Sequence, residues 1–393
     1  MEMGRPFEGF KVLDMTHVLA GPYCGYQLAL LGADVMKIEP PDWPDPVRAR
    51  GPVPSMNDAR MGMNYLAQNG NKRAITLNLK SEAGKRILKQ LVKDADVVIE
   101  NYRAGAFPAL GLGYDEIKAI NPKIVYCSIT AFGQAGPWAT RTAYDPVIQS
   151  MAGIVMKTTA GADHPVMPGA PFIDYATGLN AAFAIASALL HRERSGKGQY
   201  IDCAMLDTAL TMIGPALVAD NYAGPKKPTP REAGLDCYLT KNGYLQLGAY
   251  NIKQNNRLWG FLEHPEFCNL ESWQDLWDNA SKMRSALQEV MLTRTAEEWE
   301  EALAAVRVPS SRVRTLEEAS MLPQLAERGF LQEIAAEDIP AGVRVPGAGF
   351  IFREDGPRLT SPPPRFGQHT ETVLKELNYG AESIAQLRRD GVI

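Results

Sequence analysis

Short apolar runs and stretches of helical period take turns along the first third of the chain. Lys11–Met15 (KVLDM) reads as a strand ending in Thr16-His17, and Tyr23–Leu31 as a helix stopped by Gly32. Asp34–Ile38 (DVMKI), Ala74–Leu79 (AITLNL), Asp96–Glu100 (DVVIE) and Ile124–Ile129 (IVYCSI) read as four further strands. Between the third and fourth, Ser81 is placed to cap a helix over Glu82–Lys93. Short β-rich runs separated by helices predict βαβ units and a mainly parallel sheet. Right-handed crossovers then place helices on both faces, and ligands sit beyond the carboxyl ends of the strands. Here those ends are Thr16-His17, Glu39-Pro40, Glu100-Asn101 and Thr130.

Other stretches depart from this winding. Pro40–Ala67 carries six prolines and several methionines, which predicts a long loop that is functional or wrapped on another surface. Tyr175–His191 carries small residues on nearly every face, which predicts a helix packed close to other backbones. Its apolar core, Ala176–Leu190, is too short for a bilayer span and reads as a buried helix. Tyr200–Met212 reads as a strand followed by a helix, and AGPKKPTPR (223–231) as a linker. Residues 235–330 hold four of the six tryptophans and amphipathic helices such as Ala296–Val306, the marks of a second, smaller domain. A second proline-rich stretch covers Gly342–Pro364, and short helices are expected over His369–Leu377 and Ala381–Arg389.

Composition narrows the function classes. Apolar residues make up 45% and charged residues 22% of the chain, which is globular usage. The net charge of −4 weakens a nucleic-acid or anionic-membrane reading. Cys24, Cys127, Cys203, Cys237 and Cys268 are an odd number with no CxxC or zinc spacing. Reduced thiols in a cytoplasm are the expectation, with no metal site. The opening MEMGRPFEGF lacks the apolar core of a signal peptide. GxGxxG, Walker A, HExxH and GxSxG are all absent.

Two residues stand out. His17 lies at the carboxyl end of the first strand, where it is either a ligand contact or a hydrogen-bonded turn residue. Asp174 lies in PGAPFIDYATG, at the start of the small-residue helix. Spacing alone favours a helix cap there. The same setting suits a carboxylate nucleophile acting on an acyl carbonyl.

Longer blocks carry a resemblance. GFKVLDMTHVLAGPYCGYQLALLGADVMKIEPP, NGNKRAITLNLKSEAGK (69–85), DVVIENYRAG (96–105), SITAFGQAGPW (128–138), GAPFIDYATGLNAAFAIASALLHRERSGKGQYIDCAML (169–206) and the C-terminal RFGQHTETVLKELNYGAESIAQLRRDGVI resemble the family III coenzyme A transferases, the superfamily of formyl-CoA and carnitine-CoA transferases. The resemblance implies an α/β fold with a Rossmann-like large domain built from both chain ends, 1–222 and 331–393, and a smaller inserted α+β domain at 226–325. It implies an interlocked homodimer, with the proline-rich stretches as linkers wrapping the partner. It implies transfer of CoA between carboxylic acids; within that, the expected donor is an acyl-CoA such as succinyl-CoA and the expected acceptor a small carboxylic, dicarboxylic or hydroxy acid. Asp174 aligns with the nucleophile, working through an aspartyl anhydride and an aspartyl-CoA thioester. His17, Ala20, Asn71, Lys72, Arg73, Asn101 and Tyr102 match CoA-binding positions, with Lys72 and Arg73 expected at phosphates. No metal or redox cofactor is implied, the CoA thioester being the substrate.

Departures from the pattern shape the expected substrates. Leu19 stands where formyl-CoA transferases carry glutamine, Pro40 and Ala109 replace basic residues, and no counterpart of the glycine-rich lid lies near Gly234–Tyr250. Formate and oxalate chemistry is therefore not expected. Arg48, Arg50 and Arg60 are candidates for a second substrate carboxylate. The rival within the superfamily is 2-methylacyl-CoA racemase, against which Tyr144 stands in the histidine position of a GHD-like block. The rival of another class is a non-catalytic CoA-binding protein in which Asp174 only caps.

Overall fold

The computed structural model describes residues 4–159, 163–225, 230–337 and 339–393. The chain forms two compact units, one from residues 1–221 and 326–393 and one from 222–325. The first unit is therefore built from both ends of the chain, with the second inserted between them.

The larger unit is organised by a six-stranded sheet. Its strands are β1 (Lys11–Met15), β2 (Asp34–Glu39), β3 (Lys72–Thr76), β4 (Val97–Glu100), β5 (Val125–Thr130) and β6 (Gln199–Ala204). They lie in the order β3-β2-β1-β4-β5-β6, and every neighbouring pair is parallel. The direction of winding reverses between β1 and β4, which is where such sheets open a crevice at their carboxyl edge.

Alternation along each strand feeds two cores. Leu13, Met36, Ile75, Val98 and Tyr126 point to one face, where Ile87, Leu88 and Val92 of helix Glu82–Lys93 cover them. Val373, Leu374, Ile384 and Val392 from the end of the chain complete that layer. Val12, Val35, Val97, Ile99, Val125 and Cys127 point to the other face, against helix α1 (Ala20–Leu30) and the long helix described below. At roughly 25 cal/mol per Å² of apolar surface, each fully buried side chain of this kind contributes about 1.5–3 kcal/mol.

Three expectations change. β3 runs Lys72–Thr76 and not Ala74–Leu79. Leu77 N–H still donates to the Glu39 carbonyl of β2 at 2.8 Å, and beyond it Asn78 N–H turns to the Val392 carbonyl at 2.8 Å. Pro40–Ala67 is not a bare loop, since it contains a 3-10 turn (Pro46–Ala49) and short helices at Pro54–Asp58 and Met63–Leu66. It packs on its own chain, Met56, Met61, Tyr65 and Leu66 meeting Ile334, Ile339 and Val345. The second proline-rich stretch is tied within the chain too, since Asn71 accepts from Thr360 and Ser361 N–H and donates to the Arg358 carbonyl.

Two helices frame the site. Helix α2 spans Asp145–Met151 and helix α3 spans Phe172–Ser195. Among the described helices α3 is long and apolar enough to cross a membrane by length and composition, but half of that window is buried within the fold. In the smaller unit, β7 (Cys237–Leu239), β8 (Tyr244–Leu247) and β9 (Ser310–Arg312) form an antiparallel sheet. Helices Ile252–Phe261, Trp273–Met291 and Ala296–Ala305 cover it around Trp259, Met283 and Trp299, each opened by a capping box.

Candidate active site

The exit of β1 is held from three directions. Asn101, just beyond β4, accepts from His17 N–H at 2.9 Å and donates to the His17 carbonyl at 2.7 Å. Val18 follows with φ +70°, a left-handed conformation that a β-branched residue adopts only when its surroundings impose it. Its N–H donates to Asp45 at 3.1 Å and its carbonyl accepts from Gln68 at 2.7 Å. Asp45 is itself paired with the buried Lys37 ammonium at 2.9 Å. This frame starts α1 at Ala20 with no side chain capping its N-terminus. Its first N–H groups and the positive end of its dipole are therefore left for an anion.

Asp174 is brought to the same edge. It lies in the first turn of α3, only 7% exposed. Gly178 stands four residues later on the same face of the helix. A Cβ there would sit 2.6 Å from the Ala20 carbonyl oxygen and 3.2 Å from Cys24 N, so glycine lets α3 press on the start of α1. Tyr23 of α1 and Tyr175 of α3 meet edge-on, with centroids 4.7 Å apart. Burial, and then the carboxylate of Asp145, push the Asp174 carboxyl up to about 7.

Next to the β1 exit lies a cavity of about 200 Å³ at the carboxyl ends of β2, β3 and β4. Trp43, Tyr102, Phe107, Leu77 and Leu79 give it apolar walls, and Lys80 and Asp42 are polar groups in its lining. The His17 ring stands edge-on to both Trp43 and Tyr102, with centroids 5.2 and 4.7 Å away. Burial, helped by Lys37, lowers the His17 pKa and keeps the ring neutral. Glu100 accepts from Tyr102 N–H at 2.9 Å, which orients this wall, and burial raises its carboxyl to about 7.

The expected site residues divide. Asp174, His17, Ala20, Asn101 and Tyr102 gather at the carboxyl edge. Asn71, Lys72 and Arg73 do not. The Lys72 ammonium is fully buried, donating to Asp14, the Pro22 carbonyl and Asn69 within 2.9 Å. Arg73 pairs with Asp34 at the opposite edge of the sheet, and with Glu376. Asn71 ties down the 358–361 segment. Lys72 and Arg73 as phosphate contacts are thus corrected, because β3 ends at Thr76 and the segment that reaches the carboxyl-edge cavity is Leu77–Lys80. Arg48 is corrected as well: its guanidinium is buried against Glu39 at 2.6 Å, whereas Arg50 and Arg60 are exposed.

Sequence reasoning missed Trp43, Lys80 and Asp145. A strand end placed three residues too late hid Lys80, and the proline-rich context hid Trp43. Among the described residues no cluster of three or more metal-ligating side chains occurs, and all five cysteines are free.

A profile of CoA-transferase family III matches residues 7–370. The human succinyl-CoA:glutarate CoA-transferase is 33% identical over 400 residues, covering 99% of this chain and 90% of that protein. The acetyl-CoA:oxalate CoA-transferase of Acetobacter aceti is 32% identical over 382 residues, covering 94% and 95%. The crystal structure of a CAIB/BAIF family protein from Brucella suis aligns with TM-score 0.79 and 32% identity, over 95% of this chain and all of that one. The chain belongs to CoA-transferase family III and is an enzyme that transfers CoA.

Proposed function

We propose that this CoA-transferase moves CoA from succinyl-CoA to a small dicarboxylic acid such as glutarate, with Asp174 as the covalent nucleophile. The observation that carries this reading is a nearly buried carboxyl one turn before Gly178, where its helix presses on the uncapped start of α1. Asp174 attacks the donor thioester to form a mixed anhydride and release CoA thiolate, which attacks the aspartyl carbonyl to give an aspartyl thioester and expel the donor acid as its carboxylate. The acceptor carboxylate then attacks that thioester, giving a second anhydride and releasing CoA thiolate, which takes the acceptor acyl group and frees the Asp174 carboxylate. Each tetrahedral step develops an oxyanion, and in this reading its stabilisation falls to the first N–H groups of α1, which no side chain caps. The neighbouring cavity suits the adenine of CoA between Trp43, Tyr102 and Phe107, with Lys80 at its phosphates.

The test of this reading is a substrate panel. Succinyl-, acetyl- and oxalyl-CoA are mixed with mono- and dicarboxylates in deuterated water, and products are read by mass spectrometry. New succinyl-derived thioesters without α-deuterium are expected. Deuterium at an α-carbon with no new thioester overturns the reading in favour of a racemase, which Tyr144, 60% exposed, does not support. A protein that binds CoA thioesters yet gives no hydroxamate at Asp174 with hydroxylamine is a binder and no transferase.

The cavity assignment has its own test. Trp43→Ala is expected to raise KM for the CoA thioester about tenfold, or ~1.4 kcal/mol, and to leave kcat within a factor of about two. A kcat loss at unchanged KM would move CoA elsewhere.

A homodimer, with the two chains interlocked, belongs to this proposal. Leu179, Phe183 (75% exposed) and Leu190 present an apolar stripe along α3 that a second copy is expected to cover. Sedimentation should give twice the chain mass of 43.1 kDa; a monomer at working concentration contradicts this. The reduced cysteines fit a cytoplasmic enzyme.

A further inference from the structure

The residue that α3 leans on is not one of its own. The helix begins after Pro171, which supplies no side-chain acceptor, so its first N–H groups need an outside partner. Asp145 on α2, 2% exposed, provides one: its Oδ2 accepts from Ile173 N–H at 2.8 Å and from Asp174 N–H at 3.1 Å. Its Oδ1 accepts from the side-chain amide of the buried Gln149, which also donates to the Ala170 carbonyl at 3.2 Å. One carboxylate is thus bonded to the backbone of the residue that bears another.

We infer that Asp145 is a positioning residue for Asp174: it caps the nucleophile's helix from outside, and it holds a second carboxylate beside that of the nucleophile until acylation neutralises Asp174. The inference rests on Asp174 being the nucleophile. In the acylation step one Asp174 oxygen bonds to the thioester carbonyl carbon. The carbon–sulfur bond breaks, and CoA leaves as the thiolate, carrying the negative charge with it. No proton has to move. The anhydride is neutral, so the like-charge contact between the two aspartates ends as the intermediate forms. Before that step the same contact makes the Asp174 carboxylate more basic and a stronger nucleophile. Desolvation acts in the same direction, so the Asp145 contribution has to be isolated by substitution. Among the described residues, Tyr175 on its own helix is a titratable neighbour of Asp174, and Tyr23 of α1 stands edge-on to that ring. Burial raises both phenols, so neither changes charge near neutral pH.

The test follows acylation of the enzyme by succinyl-CoA, read by intact mass and peptide mapping, from about pH 5 to about pH 9. Wild type should be labelled at Asp174 with a midpoint near 7. Asp145→Asn keeps an acceptor for the helix but removes the charge. Its midpoint should fall by roughly one unit and its plateau rate by roughly three- to tenfold. Asp145→Ser, a neutral capping residue, serves if the asparagine variant does not fold. A purely structural cap would change the plateau and leave the midpoint in place, and that result overturns the inference alone. Wild type that is never labelled at Asp174 overturns the nucleophile reading, and this inference with it.

Discussion

Asp174→Ala is expected to lower CoA transfer by at least about 10³-fold and yet to give a protein more stable than wild type above neutral pH. The activity loss follows because no other carboxyl stands in the first turn of α3. The stability gain follows from the titration of Asp174. Its carboxyl is raised from the ordinary 3.8 to about 7 by burial and by Asp145. A raised folded-state pKa means stability that is fully present below about 4 and is lost as pH rises through about 7. The variant has no such group and loses nothing over that window. Three pKa units at ~1.4 kcal/mol each set a scale of a few kcal/mol. Activity assays and thermal melts at about pH 5 and about pH 8 check both halves. Retained turnover sinks the nucleophile; a variant less stable than wild type at about pH 8 sinks the electrostatic account of the site.

The second large effect lies beneath the site. Lys72→Met is expected to cost about 3–5 kcal/mol, because it strands the fully buried Asp14 carboxylate. Burial opposes ionisation of Asp14, but Lys72 and Lys37 outweigh it and hold its carboxyl below the usual range. Asp14 in turn accepts from Thr16 N–H at 3.0 Å, and Lys72 donates to the Pro22 carbonyl, so this pair links β1, β3 and α1. Without the ammonium, protonation of Asp14 becomes favourable in the folded state, so the deficit should shrink as pH falls. Urea unfolding should show it smaller at about pH 5 than at about pH 8, and smaller still in Asp14→Asn/Lys72→Met. A single variant as stable as wild type would show the pair to be dispensable.

The buried ion pairs also separate what local patterns reveal from what they hide. Alternation over KVLDM, DVMKI and DVVIE placed β1, β2 and β4 within a residue, since apolar periodicity is a property of neighbouring positions. Proline and glycine spacing placed Asp174 at a helix start for the same reason. Lys72 and Arg73 carry no local mark that tells a phosphate ligand from half of a salt bridge, buried for Lys72 and partly exposed for Arg73. Their partners, Asp14 and Glu376, lie 58 and 303 residues away. Asp145 was visible as a residue in a block, but its bond to Asp174 N–H spans 29 positions.

By itself, then, the chain's order of residues determined a parallel α/β sheet, its carboxyl edge, the membership in CoA-transferase family III and the helix start that holds Asp174. These follow from periodicity, capping preferences and long motif blocks, all written in consecutive positions. The tertiary structure alone decided where β3 ends, which cations are buried, which wall the cavity has and what caps α3. Those outcomes depend on contacts between distant segments, such as Thr76 N–H on Thr370 Oγ1 at 2.9 Å, which pins the end of β3. A charged side chain becomes a ligand contact or a core ion pair according to the surface it meets, and only the packed fold supplies that surface.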